Sequence, residues 1–176
     1  MKKSVLLLFF AGCVATGIFG IGRKIPMNRV NDLGQREGYW RDSVGGGFVY
    51  DLYYKGGKKD GLYKRFYRNK LFLFGEYTAD NISGTWYMFG DEGELRCTID
   101  SIELNKDSIY TGYCQIFCKY KCYCTDYYPG GGVEKEGYMV CDEEFEIEIW
   151  EIGEWKYYDE SGNLIKTKDY GDRRTP

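Results

Sequence analysis

The sequence predicts an all-β protein, an antiparallel β-meander of stacked hairpin repeats that forms an elongated, twisted sheet. Three observations support this prediction. Short runs of Tyr, Phe, Trp and Ile alternate with Gly, Asn and Asp, as strands alternate with turns. The chain has only 3 prolines but 24 glycines. A Gly-x-aromatic unit begins at Gly38, Gly61 and Gly84, at a constant spacing of 23 residues, and a fixed period of this length indicates a repeat architecture.

Each 23-residue period is expected to hold two strands of about six residues and two turns. Aromatic and β-branched runs predict strands over residues 48–54, 62–67, 71–77 and 85–89. Gly, Asn and Asp predict turns at residues 56–57, 69–70, 79–83 and 91–93. Because a single unit cannot bury its own apolar face, successive units are expected to stack and share one core.

The glycine and the aromatic residue of each unit have separate predicted roles. The glycine marks the point where a turn re-enters a strand, where a positive φ or a bulge favours a residue without Cβ. The aromatic residue points to the same face, so successive units should build a continuous core stripe. We interpret these aromatic residues as packing residues rather than a ligand platform. The pairs are Gly38 and Trp40, Gly61 and Tyr63, Gly84 and Trp86, and Gly153 and Trp155.

Three stretches resemble the MORN-repeat variant found in YwqK-type, antitoxin-like proteins and in exported bacterial lipoproteins. They read YYKGGKKDG at residues 53–61, GTWYMFGDEGEL at residues 84–95 and GEWKYYDESGNLIK at residues 153–166. The resemblance covers roughly residues 34–95 and 127–170. It implies antiparallel hairpins stacked into an elongated sheet, and it carries no shared catalytic residues.

The N-terminus is typical of an export signal. Residues 1–3 are basic at two positions, residues 4–22 carry no charge, and residues 5–10 are wholly apolar. The sequence Phe10-Ala11-Gly12-Cys13 resembles the bacterial lipobox, with Phe10 in place of the usual Leu. This resemblance implies lipid modification of Cys13 and a membrane-anchored lipoprotein of the bacterial cell envelope. Ordinary cleavage, giving a secreted or periplasmic protein, and an uncleaved transmembrane anchor are the alternatives.

The predicted organisation is a signal and lead-in over residues 1–24, followed by a single β-repeat domain over residues 25–176. Within that domain the regular repeats occupy residues 34–95 and a final repeat occupies residues 134–170. The 23-residue period fails between them, and residues 96–133 form a divergent, Cys-rich insert.

Six cysteines besides Cys13 are candidates for disulfide bonds. They are Cys97, Cys114, Cys118, Cys122, Cys124 and Cys141. An even number of cysteines in an exported chain predicts disulfides, and complete pairing requires at least one bridge within residues 114–124. A short loop from Cys118 to Cys122, with the two thiols facing each other, is one way to form it. Buried apolar thiols are the second interpretation and a structural zinc site is the third.

Composition excludes several classes of function. The chain has no histidine, which removes catalytic triads and imidazole acid–base chemistry. The net charge of −3 gives no electrostatic reason to expect nucleic-acid binding. Residues 142–151 alternate apolar and acidic side chains, which predicts a strand with a solvated acidic face rather than a glycosidase carboxylate pair.

We therefore expect a non-enzymatic binding module with no cofactor, no metal and no catalytic residue. Its partner is expected to be a protein, contacted at the sheet face or an exposed edge through shape and aromatic side chains. The membrane would be reached through the N-terminal lipid or anchor. An antitoxin or immunity protein that caps a toxin is one alternative. A glycan-binding module that uses Tyr and Trp as stacking platforms is another.

Overall fold

The computed structural model describes residues 26–106, 118–142 and 150–171, which form one antiparallel sheet of twelve strands. The strands are β1 (Arg29–Val30), β2 (Arg36–Ser43), β3 (Phe48–Lys55), β4 (Lys58–Lys59), β5 (Gly61–Tyr67), β6 (Lys70–Thr78), β7 (Asn81–Phe89), β8 (Leu95–Leu104), β9 (Tyr120–Tyr127), β10 (Val133–Cys141), β11 (Trp150–Tyr158) and β12 (Leu164–Asp169). The two-residue β4 pairs with the end of β3, and every other strand pairs with its neighbours along the chain. The predicted all-β antiparallel meander is confirmed, and β1 and β12 form its open edges.

Tight turns join the strands of the N-terminal hairpins. Two consecutive residues with positive φ stand at Gly56–Gly57, at Arg68–Asn69 and at Ala79–Asp80. This is the two-residue type I′ pattern, whose twist matches that of the flanking strands. Two predicted turns are therefore corrected. The turn predicted at residues 69–70 begins one residue earlier, and the one predicted over residues 79–83 is only two residues long, because β7 already begins at Asn81.

The motif glycines have the backbone conformation that the repeat predicts, with φ between 59° and 120°. Gly38, Gly84 and Gly153, however, lie inside their strands, and Gly61 alone of the four begins one. On β7, residues 84–86 oppose only Gly75 of β6, so the motif forms a bulge within the ladder. On β11, Gly153 lies in a similar irregularity beside Gly137 of β10. Gly137 thus lies opposite Trp155 of the Gly153–Trp155 unit on the neighbouring strand.

A continuous hydrophobic core lies on one face of the sheet, which we call the core face. Its buried members are Leu52, Tyr63, Leu73, Tyr77, Ile82, Trp86, Cys97, Ile99, Tyr120, Cys122, Cys124, Met139, Cys141 and Trp155. Successive residues of a strand point to opposite faces, so the core positions recur every second residue, as in Tyr120, Cys122 and Cys124. The opposite face carries a smaller cluster of Cys118, Val140 and Ile152.

The predicted aromatic stripe is present in the N-terminal half of the core. The rings of Tyr63, Tyr77 and Trp86 have centroids 5.3 to 5.6 Å apart. Trp40 extends the stripe from β2, where its ring meets that of Tyr54 at 5.9 Å. Farther along the core face, isoleucine, cysteine and methionine side chains predominate, with Tyr120 and Trp155 among them. The stripe is therefore not continuous, and the middle of the core is built differently.

The Cys-rich segment over residues 96–133 continues the sheet. Its described residues supply nearly all of β8 and all of β9, which pair with each other, and β9 then pairs with β10. The loss of the 23-residue period is thus a change in side chains and connections rather than a departure from the meander. Within the described residues, no helix is long and apolar enough to cross a membrane.

Some predictions fall outside the described residues. They include the export signal with Cys13, the thiol of Cys114 and most of the acidic strand predicted over residues 142–151. Tyr170, next to the last described residue, packs against the core. Its ring packs against Trp155 at a centroid distance of 6.5 Å, and its hydroxyl lies 2.6 Å from that of Tyr157.

Candidate functional site: an aromatic groove on the core face

A groove of about 240 Å³ opens on the core face near the N-terminal edge of the sheet, and we call it the tyrosine groove. It is lined by Asp42, Val44, Tyr50, Leu52, Tyr54, Lys59 and Tyr63. Three of these seven residues are tyrosines, while one carboxylate and one ammonium group contribute opposite charges. The groove therefore combines apolar rings, hydroxyl groups and both signs of charge in a small concave surface.

Strand alternation explains why these side chains meet. Tyr50, Leu52 and Tyr54 occupy every second position of β3, so all three point to the core face. The register between β2 and β3 places Asp42 directly opposite Tyr50. Tyr63 of β5 approaches from the next strand, with its ring 6.0 Å from that of Tyr50. Local sequence thus sets which face each side chain takes, and strand pairing brings them together.

Arg36 fixes one wall of the groove. Its guanidinium lies 4.5 Å from the centre of the Trp40 ring and 5.2 Å from that of Tyr54. One guanidinium nitrogen, Nη1, also donates to the Tyr54 hydroxyl at 2.9 Å and to the Asp42 carboxylate at 3.2 Å. Because stacking and hydrogen bonds act on the same guanidinium, the positions of the Tyr54 ring and the Asp42 carboxylate are coupled.

Arg65 holds Tyr50 from the adjacent strand β5, where the two residues lie directly opposite each other. Its side chain is largely buried at 8 % exposure, and its guanidinium lies 4.6 Å from the ring of Phe48, 5.5 Å from Tyr50 and 5.3 Å from Phe72. A planar guanidinium presents flat faces to aromatic rings, and burial strengthens such contacts. Tyr50 is therefore held by Tyr63 and by the Arg65 guanidinium, both on the adjacent strand β5.

A second charged cluster lies on the same face near the other end of the sheet. The Lys135 ammonium group lies 2.8 Å from a Glu151 oxygen and 3.3 Å from an Asp126 oxygen. Burial opposes both charges, but the hydrogen bond between Lys135 and Glu151 and the attraction of neighbouring opposite charges together outweigh it. The pKa of Lys135 is raised above its usual range and the pKa of Glu151 is lowered. These groups satisfy one another, so we interpret the cluster as structural.

The cysteines of the core face form two close pairs. The sulfur atoms of Cys97 and Cys124 are 3.2 Å apart, and those of Cys122 and Cys141 are 3.4 Å apart. All four residues are buried. The hydrogen bond from the neighbouring thiol and then burial raise the pKa of Cys97 and of Cys122. Protonated, enclosed thiols are poor nucleophiles, so the pairs do not form a catalytic thiol site.

The predicted loop with facing thiols at Cys118 and Cys122 is wrong. Cys122 packs in the main core, whereas Cys118 packs with Val140 and Ile152 in the cluster on the opposite face. The reason is that β9 begins at Tyr120. Strand alternation fixes the side of Cys122 on the core face, while Cys118 precedes the strand and is not bound by that alternation.

Cys97, Cys124 and Asp126 bring three potential metal-ligand atoms within 4.8 Å of one another. They fit a structural zinc ion poorly. Two thiolates on a tetrahedral zinc, with bonds of about 2.3 Å, lie about 3.8 Å apart, whereas these sulfurs are 3.2 Å apart. The Asp126 carboxylate is already paired with Lys135, and among the described residues this group supplies three ligands rather than four.

The motif residues contribute unequally to the tyrosine groove. Tyr63 lines it and Trp40 contacts it through Arg36, but Trp86 and Trp155 are 0 % and 1 % exposed and belong to the core. The motif therefore did not identify Asp42, Tyr50 or Tyr54. Their signal in the sequence was the alternation of large side chains along residues 48–54, which predicts one shared face but not which face is open.

Comparison with known proteins gives no match for this chain among protein-family models, curated proteins or solved structures. The resemblance to the MORN-repeat variant therefore stays a prediction from the motif residues.

Proposed function

We propose that this protein is a non-enzymatic binding module and that the tyrosine groove is its contact site for a protein partner. The observation that carries the proposal is the composition of the groove, in which three tyrosines stand beside Asp42 and Lys59. Tyr, Trp and Arg are the residue types that dominate binding energy at protein interfaces. Three tyrosines line this one concave surface, and Arg36 holds one of them, Tyr54.

The groove is also preorganised for binding. Tyr54 is held by Arg36, and Tyr50 contacts Arg65 and Tyr63 on the adjacent strand β5. Aromatic residues that are already fixed lose little conformational entropy when a partner binds. The opposite charges of Asp42 and Lys59 suit a polypeptide, which can present an apolar side chain flanked by polar and charged groups.

The proposal is tested by affinity capture from the native source, with a protein that comprises residues 25–176 as bait. Tyr50→Ala and Tyr54→Ala should each lose the captured partner, because each removes a ring from the groove. Tyr138→Ala is the matched control, since Tyr138 is a 44 % exposed tyrosine on the opposite face. Circular dichroism confirms that each variant is folded. A partner that both groove variants retain, or that the control variant loses, contradicts the proposal.

We also propose that the protein is exported and held at a membrane face by lipid on Cys13. The basic start, the uncharged stretch and the lipobox-like sequence support this, and an envelope location would give the groove access to envelope proteins. Metabolic labelling with a fatty acid tests it. Wild-type protein should incorporate label, and Cys13→Ser should not; equal labelling of the two proteins contradicts the anchor.

A glycan is the second candidate ligand, because the tyrosine rings that line the groove also suit stacking against sugar rings. A glycan array separates the two. Specific binding that Tyr50→Ala abolishes and Tyr138→Ala preserves favours the glycan. An array without signal favours the protein partner. If the captured partner is a toxin, the protein has an immunity role. Cells that express the toxin together with this protein should then survive.

A further inference from the structure

The four cysteines on the core face are arranged as two cross-strand pairs that share the central strand β9. Cys97 and Cys124 are 7 % and 4 % exposed, and Cys122 and Cys141 are fully buried. Cys122 and Cys124 are separated by one residue on β9, so they point to the same face. Cys124 reaches toward β8 and Cys122 reaches toward β10.

The strand register makes each pair a diagonal neighbour. Ile99 of β8 lies opposite Cys124, and Cys97 lies two residues along from Ile99. On the other side of β9, Met139 of β10 lies opposite Cys122, and Cys141 lies two residues beyond. Sheet twist shortens one diagonal of an antiparallel pair relative to the other. Both cysteine pairs have sulfur atoms within 3.4 Å, so both lie on a close diagonal.

We propose that the mature protein contains two disulfide bonds, Cys97–Cys124 and Cys122–Cys141, which join β8, β9 and β10 covalently. A disulfide bond length is about 2.05 Å, so the sulfurs of each pair need to approach by a little more than about 1 Å. The exported location proposed above provides an oxidising compartment in which such bonds persist. The assignment of partners rests on strand register and sulfur distance and does not depend on the function of the tyrosine groove.

The oxidation balances as a thiol–disulfide exchange. A thiolate of one cysteine attacks the disulfide of an oxidised dithiol carrier, and its partner thiolate then displaces the carrier from the mixed disulfide. Each bridge loses two protons and two electrons from its cysteines, and the carrier is reduced to two thiols. Because the pairs are enclosed in the finished sheet, exchange takes place before β8, β9 and β10 close over them. After closure the same enclosure protects the bridges from reductants.

These assignments also complete the count of cysteines. Each of the two bridges joins a cysteine outside residues 114–124, Cys97 or Cys141, to a cysteine within that segment, Cys124 or Cys122. Of the six candidates this leaves Cys114 and Cys118, the pair that an internal bridge would have to use. Cys114 lies outside the described residues, so the proposal is limited to the two bridges of the core face.

Peptide mapping of the full chain tests the connectivity. The protein is exported by its own signal, purified without reductant, denatured and alkylated with N-ethylmaleimide, and then digested with trypsin and chymotrypsin. Tyr123 separates Cys122 from Cys124, so cleavage after it places the two on different peptides. We expect one cross-linked species that joins Cys97 to Cys124 and another that joins Cys122 to Cys141, both lost on reduction.

Two results would overturn the proposal. One is alkylation of these four cysteines without prior reduction. The other is protection from alkylation that a chelator removes, with one equivalent of zinc in the purified protein, because that identifies a metal site at Cys97, Cys124 and Asp126. Cross-links with other partners, such as Cys97 with Cys122, overturn the assignment as well.

A thermal measurement gives an independent readout. Reduction of the wild-type protein should lower the melting temperature by about 5 to 15 °C. The double variant Cys97→Ala/Cys124→Ala keeps only the Cys122–Cys141 bridge and should respond to reductant by a smaller shift. An equal melting temperature with and without reductant, after mass spectrometry has verified complete reduction, contradicts the proposal even where a variant fails to fold.

Discussion

The indole ring of Trp86 covers the α-carbon of Gly75 on the neighbouring strand. A Cβ placed on Gly75 would overlap the ring atoms of Trp86, and a Cβ on Gly137 would lie 2.5 Å from Cγ of Trp155. The Gly-x-Trp units on β7 and β11 thus share one packing arrangement, in which a bulged tryptophan lies on a glycine across the ladder. The indole nitrogen of Trp86 also donates to the carbonyl oxygen of Ser83 at 3.1 Å.

Gly75→Ala tests this packing. The added methyl group cannot fit under a fully buried indole unless Trp86 or the strand moves, and overpacking of a dense core costs about 1 to 3 kcal/mol. We expect the free energy of unfolding to fall by about 3 kcal/mol, because the added methyl group overlaps a rigid ring and not the end of a flexible side chain. Urea unfolding followed by tryptophan fluorescence measures it.

Gly130→Ala is the matched control for this substitution. A Cβ at Gly130 meets no atom within 4 Å, and the residue does not have a positive φ. Its free energy of unfolding should therefore change by less than about 0.5 kcal/mol. Equal free energies of unfolding for the Gly75 and Gly130 variants would show that the packing of Trp86 does not require a residue without Cβ at position 75.

Local signals in the sequence were enough to predict the meander. The strands and hairpins of residues 48–89 follow largely from neighbouring residues, such as the Gly56–Gly57 turn, although two turn positions were predicted wrongly. The role of Gly75 was not accessible in that way. It depends on the bulge at Gly84, which sets the register between β6 and β7, and no periodic pattern in either strand marks a bulge partner.

Prediction of the cysteine pairs and of the tyrosine groove from the sequence was limited in the same way, because both depend on strand register. Alternation along β9 places Cys122 and Cys124 on one face, but their partners are set by how β8 and β10 align with β9. That alignment follows from connections of irregular length. To predict the tyrosine groove one must also know which part of the core face is uncovered. The sequence does not show this, because aromatic residues in a strand form the same pattern whether they are buried or line a groove.

Gly84→Ala should destabilise the protein for a reason different from that of Gly75→Ala. No atom lies within 4 Å of a Cβ at this position, but the φ of Gly84 is +65°. A residue with a side chain costs about 1 to 2 kcal/mol in the left-handed region, and asparagine tolerates it better than alanine. We expect a loss of about 1 kcal/mol for Gly84→Ala and a smaller loss for Gly84→Asn in urea unfolding. A larger loss for Asn than for Ala would argue for a steric cause.

Arg65→Lys should destabilise the packing around Tyr50 of the tyrosine groove. The guanidinium of Arg65 lies within 5.5 Å of three ring centres, and a lysine ammonium group cannot present flat faces to all of them. We expect a loss of about 1 to 2 kcal/mol. Arg68→Lys is the matched control, because Arg68 is exposed and, among the described residues, stacks on one ring, that of Tyr67. Similar losses for the two variants would contradict the special role of the buried guanidinium.

The ion pair between Lys135 and Glu151 predicts how stability depends on pH. Burial opposes the charge of Glu151, but its hydrogen bonds and the nearby lysine charges together lower its pKa, so its contribution is present above about pH 4.3, the ordinary Glu value, and is lost as the pH falls through the folded pKa. Against the effect of burial, the hydrogen bond to Glu151 and the charges of Asp126 and Glu151 together raise the pKa of Lys135. The lysine contribution is therefore complete below about pH 10.4 and is lost as the pH rises through the folded pKa.

Comparison with Lys135→Met isolates this contribution from that of the many other titrating groups. The difference in free energy of unfolding between wild type and variant should be constant from about pH 5 to pH 10 and should shrink on both sides. Glu151→Gln should remove the part of the acid decline that belongs to Glu151, and it should weaken the alkaline one because Asp126 still pairs with Lys135. Urea unfolding across this pH range measures all three proteins. A difference that stays constant from pH 3 to pH 12 would mean that the ion pair contributes nothing that depends on its charges.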